Sequence, residues 1–222
     1  MIKSMTWFKR RPGLTLEQFN EYWRTTHAGL AKQLPGLRRY RQNEVLPGRG
    51  GEALFDGAAE TWFDDTNAMR TLVDTDAYRT LMADEPNLMD LATRHEMLVD
   101  EHVIIDGAEP AGGLKFVTLV KRRPDLPVDE FQEYWRTVHG PLAARNPYIA
   151  RYVQNHVRRR FYDGGRTAVW DGAAVTWFRS KEDMRASAQT PELAATRADE
   201  AYFLADAGHG LPFFVMQERI IV

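Results

Sequence analysis

The sequence predicts an α+β protein built from two consecutive βαββαβ units, and three observations predict it. The chain repeats itself: Lys9-Arg10-Arg11-Pro12, Phe19-x-x-Tyr22-Trp23-Arg24-Thr25-x-His27-x-x-Leu30 and Tyr40-x-Gln42-Asn43 recur 112 residues later as Lys121-Arg122-Arg123-Pro124, Phe131-x-x-Tyr134-Trp135-Arg136-Thr137-x-His139-x-x-Leu142 and Tyr152-x-Gln154-Asn155. Of the 37 positions from 9 to 45, 20 carry the same residue in both copies. The match resumes after a three-residue insertion, where Asp56-Gly57-Ala58-Ala59-x-Thr61-Trp62-Phe63 meets Asp171-Gly172-Ala173-Ala174-x-Thr176-Trp177-Phe178. Each copy, of about 105 to 110 residues, has the size of a domain and exceeds the repeat of a solenoid. Within each copy, short strand-like runs bounded by Gly and Pro alternate with stretches of helical periodicity. A Gly- and Pro-containing segment, with Gly107, Pro110, Gly112 and Gly113, separates the copies.

The elements follow in order. Met5-Thr6-Trp7-Phe8 reads as a short strand that ends at the basic cluster and the Arg11-Pro12-Gly13 turn. Thr15-Leu16-Glu17-Gln18 has the form of a capping box, a hydroxyl with Gln three residues on, and opens a helix. Leu16, Phe19, Trp23, Leu30 and Leu34 keep 3.6-residue spacing, His27 falls on the same stripe, and Pro35-Gly36 stops the helix. Residues 37–45 alternate as a strand, a Gly-rich loop at 47–51 turns the chain, and 58–63 form the next strand. A second helical region is expected over 66–81, extending toward 91, and 97–105 is the closing strand. The second copy repeats the series from 114, with Pro127 in place of the capping Thr15, which the first turn of a helix accepts.

The domains predicted are 1–106, a linker at 107–113, and 114–222. The order βαββαβ is the ferredoxin-like arrangement, an antiparallel sheet with both helices on one face. Its other face is left bare, and two copies can bury those faces against each other, so the two repeats are expected to pair within one chain. Further homodimerisation is left open.

At 222 residues, with 44% apolar and 27% charged residues, the composition is ordinary for a globular protein. The formal net charge of −2 argues against a general polyanion-binding role, so no nucleic-acid partner is expected. The absence of cysteine excludes disulfides, thiolate nucleophiles and Cys-bound metals, and fits a reducing compartment. No run approaches the 18 or so apolar residues of a membrane span, and Met1-Ile2-Lys3-Ser4-Met5 is no signal-peptide core. The expected location is cytoplasmic, without a membrane partner.

The chemistry-bearing candidates are His27 with Tyr40 and, in the second copy, His139 with Tyr152. His27 lies on the apolar stripe, so its imidazole points toward the sheet. On the following strand Tyr40, Gln42 and Glu44 share one side, and Arg39, Arg41 and Asn43 the other. If the Tyr40 side faces the helices, an imidazole and a phenol converge in a partly apolar slot and can move protons near neutral pH. The plainer alternative is a pair of core histidines bonded to backbone carbonyls. His156, which replaces Glu44 beside Tyr152, adds a third candidate base and tips the expectation toward the second copy. Trp23, Trp62, Trp135 and Trp177 could wall a pocket for a hydrophobic or aromatic substrate, and Asn43 and Asn155 could hold a carbonyl or a water. Asp56 and Asp171, each before Gly, read as turn residues.

Several chemistries fail on the residues. The three serines, Ser4, Ser180 and Ser187, lie in no Gly-x-Ser-x-Gly elbow. Gly48-Arg49-Gly50-Gly51 lacks the Gly-Lys-Ser/Thr of a phosphate loop. His95 and His102 are not spaced as a zinc helix, and there is no dinucleotide fingerprint, so neither a metal nor another cofactor is expected.

Together Lys9-Arg10-Arg11-Pro12-Gly13-Leu14-Thr15, Glu17-x-Phe19-x-x-Tyr22-Trp23, His27-Ala28-x-Leu30, Tyr40-x-Gln42-Asn43 and Asp56-Gly57-x-Ala59-x-x-Trp62-Phe63 resemble the EthD-domain family, and the second half resembles it equally. The resemblance covers almost the whole chain and implies two ferredoxin-like repeats forming an intramolecular dimeric α+β barrel. Relatives include polyketide dehydratases and decarboxylases, and the wider superfamily holds muconolactone isomerases, cofactor-independent monooxygenases, cyclases and haem proteins. In the methylmuconolactone isomerase branch, a His at the end of the first helix and a Tyr thirteen residues on line the pocket. His27/Tyr40 and His139/Tyr152 match that spacing, while this chain lacks the branch's cysteine. The resemblance implies a cofactor-independent lyase or isomerase, of dehydratase, decarboxylase or cyclase type, acting on a small aromatic, lactone or polyketide-like substrate. The alternatives are a non-catalytic binding or carrier protein and a cofactor-independent monooxygenase.

Overall fold

The computed structural model describes residues 1–47, 52–205 and 211–222, so most of the expected Gly-rich loop at 47–51 lies outside the described residues. The chain divides into two compact units. Unit 1 comprises Met1–Leu98 with Gln217–Val222, and unit 2 comprises Val99–Met216.

Unit 1 begins with β1 (Ile2–Phe8), three residues earlier than the apolar pattern suggests. Lys3 and Ser4 hide the strand in the sequence, yet both are buried, Lys3 against Glu60 at 3.0 Å. Helix α1 (Leu16–Tyr22) opens on the expected capping box, with Thr15 Oγ1 accepting from Gln18 N and Gln18 Oε1 accepting from Thr15 N. One π-helical turn, Trp23–His27, then leads into α2 (Ala28–Ala31). The strands β2 (Leu37–Val45) and β3 (Gly57–Phe63) pair antiparallel, as do β1 and β3. The second helical region is two helices, α3 (Thr66–Leu72) and α4 (Asp76–Leu88). The break falls at Thr75, whose hydroxyl accepts from Tyr78 N and so starts a new helix. A 3-10 turn, Leu91–Thr93, precedes β4 (His95–Ile105).

Unit 2 repeats the pattern with β5 (Leu114–Val120), α5 (Val128–Tyr134), a second π-helical turn Trp135–His139, and α6 (Gly140–Ala143). Next come β6 (Ile149–Val157), β7 (Gly172–Phe178), α7 (Lys181–Ser187), α8 (Pro191–Asp199) and β8 (Phe213–Ile220). Pro127 caps α5 without a side-chain hydrogen bond. In unit 1 the strand order is β4, β1, β3, β2, followed by the end of β8; in unit 2 it is β8, β5, β7, β6, followed by the rest of β4. The segment 97–105 therefore does more than close its own copy: Val99 to Val103 run antiparallel to Val157 to Val153 of β6. Likewise Tyr40 N donates to Val222 O and Ile221 N to Tyr40 O, which ties the end of the chain to β2.

Each helix that carries a candidate histidine is anchored to its sheet by a tryptophan. Trp23 is buried edge-on against Phe8, ring centroids 5.1 Å apart, and beside Phe19 at 5.4 Å. Trp135 packs with Phe131, Phe203, Val120 and Leu204. The Asp-Gly strand entries serve this packing. A Cβ on Gly57 would lie 2.7 Å from the Trp23 ring, and one on Gly172 2.7 Å from Trp135, closer than carbon atoms approach. The paired aspartates hold the neighbouring chain: Asp56 accepts from Arg10 N and Nη1, and Asp171 from Arg122 N and Tyr162 OH.

Candidate active site

Each unit has a cavity between its sheet and its helices. In unit 2 it measures about 360 Å³ and is lined by Trp135, His139 and Tyr152 together with Phe116, Phe178, Phe203 and Phe213. In unit 1 it measures about 270 Å³ and is lined by Trp23, His27 and Tyr40 together with Ser4, Glu85, Arg94 and Glu96. Both expected His/Tyr pairs thus face a cavity wall, and Trp23 and Trp135 face it with them.

The histidines do not bond backbone carbonyls. His27 Nδ1 lies 2.9 Å from Asp84 Oδ2, and His139 Nδ1 lies 2.8 Å from Asp199 Oδ2. A carboxylate only accepts, so Nδ1 carries the proton and Nε2 is left as the basic nitrogen. Each aspartate is itself held: Tyr22 OH donates to Asp84 Oδ1 at 2.5 Å, and Tyr134 OH to Asp199 Oδ1 at 2.8 Å. Burial lowers the pKa of both imidazoles below the ordinary 6.5, and the aspartates offset only part of that fall. Desolvation works against the Asp84 carboxylate, but the hydrogen bonds from Tyr22, His27 and Asn87 outweigh it and leave its pKa lowered.

The tyrosines are oriented with equal care. Tyr40 OH accepts from Trp23 Nε1 at 3.0 Å and from Gln42 Nε2 at 3.1 Å; Tyr152 OH accepts from Trp135 Nε1 at 3.3 Å and Gln154 Nε2 at 3.2 Å. Both neighbours are donors, so the phenolic proton is left to point elsewhere, on a residue that lines the cavity. The amide orientation is forced by chemistry. Gln42 Nε2 also donates to the Trp23 carbonyl at 2.7 Å, and Gln154 Nε2 to that of Trp135 at 2.8 Å. These carbonyls begin the π-helical turns, whose widened backbone bonding is a common mark of functional helices. Burial drives both phenols up to about 12, with the two donated hydrogen bonds acting in the opposite direction.

His156 sits elsewhere. It is stacked flat on Trp135, 4.3 Å between centroids, meets His102 edge-on at 4.5 Å, and its Nε2 donates to Gln154 Oε1 at 3.0 Å. Burial, with His102 and Arg136 adding repulsion, drops its pKa to about 2, so it is neutral and holds Gln154 instead of facing the cavity as a base. In unit 1 the same task falls to Arg219, which donates to Gln42 Oε1 at 3.2 Å and pairs with Glu44.

The remaining candidates lie on the opposite sheet faces, because strand residues alternate. Asn43 donates to Ala58 O and Asn155 to Ala173 O. Trp62 packs under Lys3 and Arg41, and Trp177 under Lys115 and Arg151. The cavity face of β3 and β7 instead carries Ala59, Thr61 and Phe63, and Ala174, Thr176 and Phe178. Sequence reasoning missed the aspartates and their tyrosines. The signal was present: Asp84-Glu85 recurs as Asp199-Glu200 at the 115-residue offset set by the insertion. Among the described residues no group of three or more His, Asp or Glu side chains is arranged to hold a metal ion, and no helix is long and apolar enough to cross a membrane.

Two ferredoxin-like repeats with a His/Tyr cavity in each define a protein of the dimeric α+β barrel superfamily. The EthD domain matches residues 11–92 and 123–207, and the chain belongs to that family as a tandem member. Among solved structures it is similar to an anthrone oxidase-like protein, with 11% identity over 99% of this chain and 93% of that one and a TM-score of 0.67. It is also similar to proteins provisionally named monooxygenases, one from Fusobacterium nucleatum with 10% identity over 99% and 93% and a TM-score of 0.61. The other, from Lactobacillus acidophilus, has 9% identity over 99% and 94% and a TM-score of 0.56. At such identities the likeness is one of fold. No curated protein matches the sequence significantly.

Proposed function

We propose that the protein is a cofactor-independent lyase or isomerase and that the unit 2 cavity is its working site, acting on a small aromatic, lactone or polyketide-like molecule. The observation that carries this reading is the paired arrangement in one cavity wall: an imidazole with Nδ1–H on a partly buried carboxylate, and a phenol whose oxygen already accepts two hydrogen bonds. In the reaction, His139 Nε2 takes a proton from a carbon next to a carbonyl. Tyr152 O–H donates to the carbonyl oxygen as negative charge develops there. Asp199 stabilises the imidazolium, which returns the proton to a leaving hydroxyl in a dehydration or to another carbon in an isomerisation.

A second reading, a cofactor-independent monooxygenase, draws its support from the names given to the structurally similar proteins, and a carrier with no turnover is the third. One experiment separates them. The protein is incubated with a panel of lactones, hydroxylated aromatics and poly-keto compounds while products and dissolved oxygen are followed. Product without oxygen uptake supports acid–base chemistry, oxygen uptake overturns it in favour of the oxygenase, and recovery of tightly bound but unchanged ligand favours the carrier.

A further inference from the structure

Unit 2 carries a buried polar pair on its cavity wall where unit 1 has two leucines. Asn146, three residues before β6, and Ser187, the last residue of α7, are each 3% exposed and both line the cavity. The positions that match them at the 112- and 115-residue offsets are Leu34 and Leu72, which are buried on the wall of the unit 1 cavity. The polar pair is not needed to make the turn at this place. Thr190 caps α8 by accepting from Leu193 N and closes the turn by donating to Ser187 O, and Thr75 does the same for α4 with Tyr78 N and Leu72 O. Burying polar groups where the fold accepts two leucines is a cost that a ligand contact would offset.

We infer that Ser187 is a specificity-determining residue whose hydroxyl donates to an oxygen of the ligand, so that the preferred substrates carry two oxygen acceptors, one for Tyr152 and one for Ser187. This rests on the reading of the unit 2 cavity as the working site and narrows its substrate class to molecules of two or more rings with a carbonyl toward each end. The direction of the hydroxyl follows from its neighbours. Asn146 Oδ1 accepts from Tyr148 N at 3.2 Å, which turns Nδ2 toward Ser187 Oγ at 2.9 Å and Thr190 Oγ1 at 3.1 Å. The Ser187 oxygen is therefore an acceptor here, and its own proton is donated to none of the described residues. The spacing follows from the sheet. Tyr152 lies opposite Thr176 and Ile149 opposite Phe178, two steps along β7, and Asn146 O accepts from Ile149 N in the turn before β6. At about 3.4 Å per step, and with Tyr152 OH drawn the other way toward Gln154, the two donors stand on the order of 10 Å apart. Phe116, Phe178, Met184 and Ala188 give the same wall apolar surface for rings.

The test titrates the full chain by calorimetry with 2,6-diacetylnaphthalene and with 2-acetyl-6-isopropenylnaphthalene, in which a C=CH2 group of the same shape replaces one carbonyl. The diketone should bind about 5- to 150-fold more tightly, the cost of leaving a buried donor without a partner, beyond the roughly twofold advantage that its symmetry gives. Ser187→Ala should bring the two within about threefold, whereas a change that merely loosened the fold would weaken both and keep their ratio. Asn146→Asp should also remove the preference with the hydroxyl still in place, because a carboxylate in the position of the amide takes the Ser187 proton. Wild-type affinities for the two probes within about threefold of each other, a comparison that needs no variant to fold, overturn the inference and leave the cavity reading standing. So does a preference that survives in either variant. Failure of both probes to bind overturns the cavity reading and the inference together.

Discussion

The two cavities share their Trp/His/Tyr wall and differ at the end that faces away from it. Both have Trp, His and Tyr from the repeated motif, an Asp behind the His, and a Gln behind the Tyr. Opposite, unit 1 is crossed by a polar chain: Ser4 Oγ donates to Glu96 at 2.7 Å, and Arg94 bonds Glu96 at 3.1 Å and approaches Glu85. The equivalent positions of unit 2 carry Phe116, Leu211 and Phe213 in place of Ser4, Arg94 and Glu96, and its cavity is the larger. A ligand entering unit 1 must compete with ion pairs already made, while one entering unit 2 meets open apolar surface. The two copies thus keep the His, Tyr, Asp and Gln of one wall and differ in the residues of the other.

The largest effect that can break this comparison is catalytic. His139→Ala or Tyr152→Phe should lower turnover by about 10² to 10⁴, the usual range for lost acid–base assistance, and the same changes at His27 and Tyr40 should cost far less. Equal losses in both units, measured as kcat with melting temperature as the control for folding, would mean that the polar chain of unit 1 is no obstacle to substrate.

Next in size is the support behind the base. Asp199→Asn keeps the shape but lets the amide donate to Nδ1, which favours the tautomer with its proton on the catalytic Nε2. A fall in kcat of about 10²-fold, the lower end for acid–base groups, is expected with little change in KM. In the wild-type protein the acid limb of kcat/KM should have its midpoint below 6.5, because burial lowers the pKa of His139 and the base is lost only when it is protonated. Asp84→Asn should leave both readouts nearly unchanged.

How far the sequence revealed this site depends on which force placed each residue. His27 and Tyr40 were legible because helical and strand periodicity alone assign their faces, and the duplication pointed to both at once. Trp62 and Asn43 misled because an aromatic or amide looks equally functional on either side of a strand, and only pairing shows that Ala59, Thr61 and Phe63 take the cavity side. Asp84 was hidden for another reason. It sits in α4 among weakly patterned residues, and its role arises from contact with a histidine 57 positions away. The π-helical turns left no mark on the 3.6-residue pattern, since one widened turn barely shifts the apolar stripe.

The third effect contrasts what holds each glutamine. Unit 2 uses neutral His156, flanked by His102, Arg136 and Trp135, with Asp100 the nearest acid in the paired strand, and unit 1 uses the Arg219–Glu44 ion pair. The unfolded chain protonates His156 near 6.5 while the folded chain resists until about 2, so the unfolded state binds more protons throughout that interval. Stability is therefore full above 6.5 and falls as pH drops, and the lowered pKa values of His27, His102 and His139 act in the same direction. In His156→Gln, the loss of urea midpoint between pH 7 and pH 5 should be smaller than in the wild-type protein. An unchanged loss would show that other groups dominate acid unfolding.

The smallest effect lies at the other end of the histidine helices. Thr15 and Gln18 satisfy each other's backbone N–H groups at the start of α1, at 2.9 and 3.1 Å, whereas Pro127 begins α5 with a fixed φ and no side-chain bond. Thr15→Ala should destabilise the protein by about 1 kcal/mol, and the corresponding fall in Tm is about 2 to 4 °C for a chain of this size. Pro127→Ala removes only chain stiffness and should cost about 0.4 to 1 kcal/mol, acting through the unfolded state. The two changes also differ in what they leave intact. Loosening α1 disturbs the helix that presents His27, so turnover carried by unit 2 should survive Thr15→Ala unchanged at temperatures where the protein stays folded. A drop in kcat with Thr15→Ala but not with Pro127→Ala would instead place the working histidine in unit 1 and reverse the assignment of the two cavities.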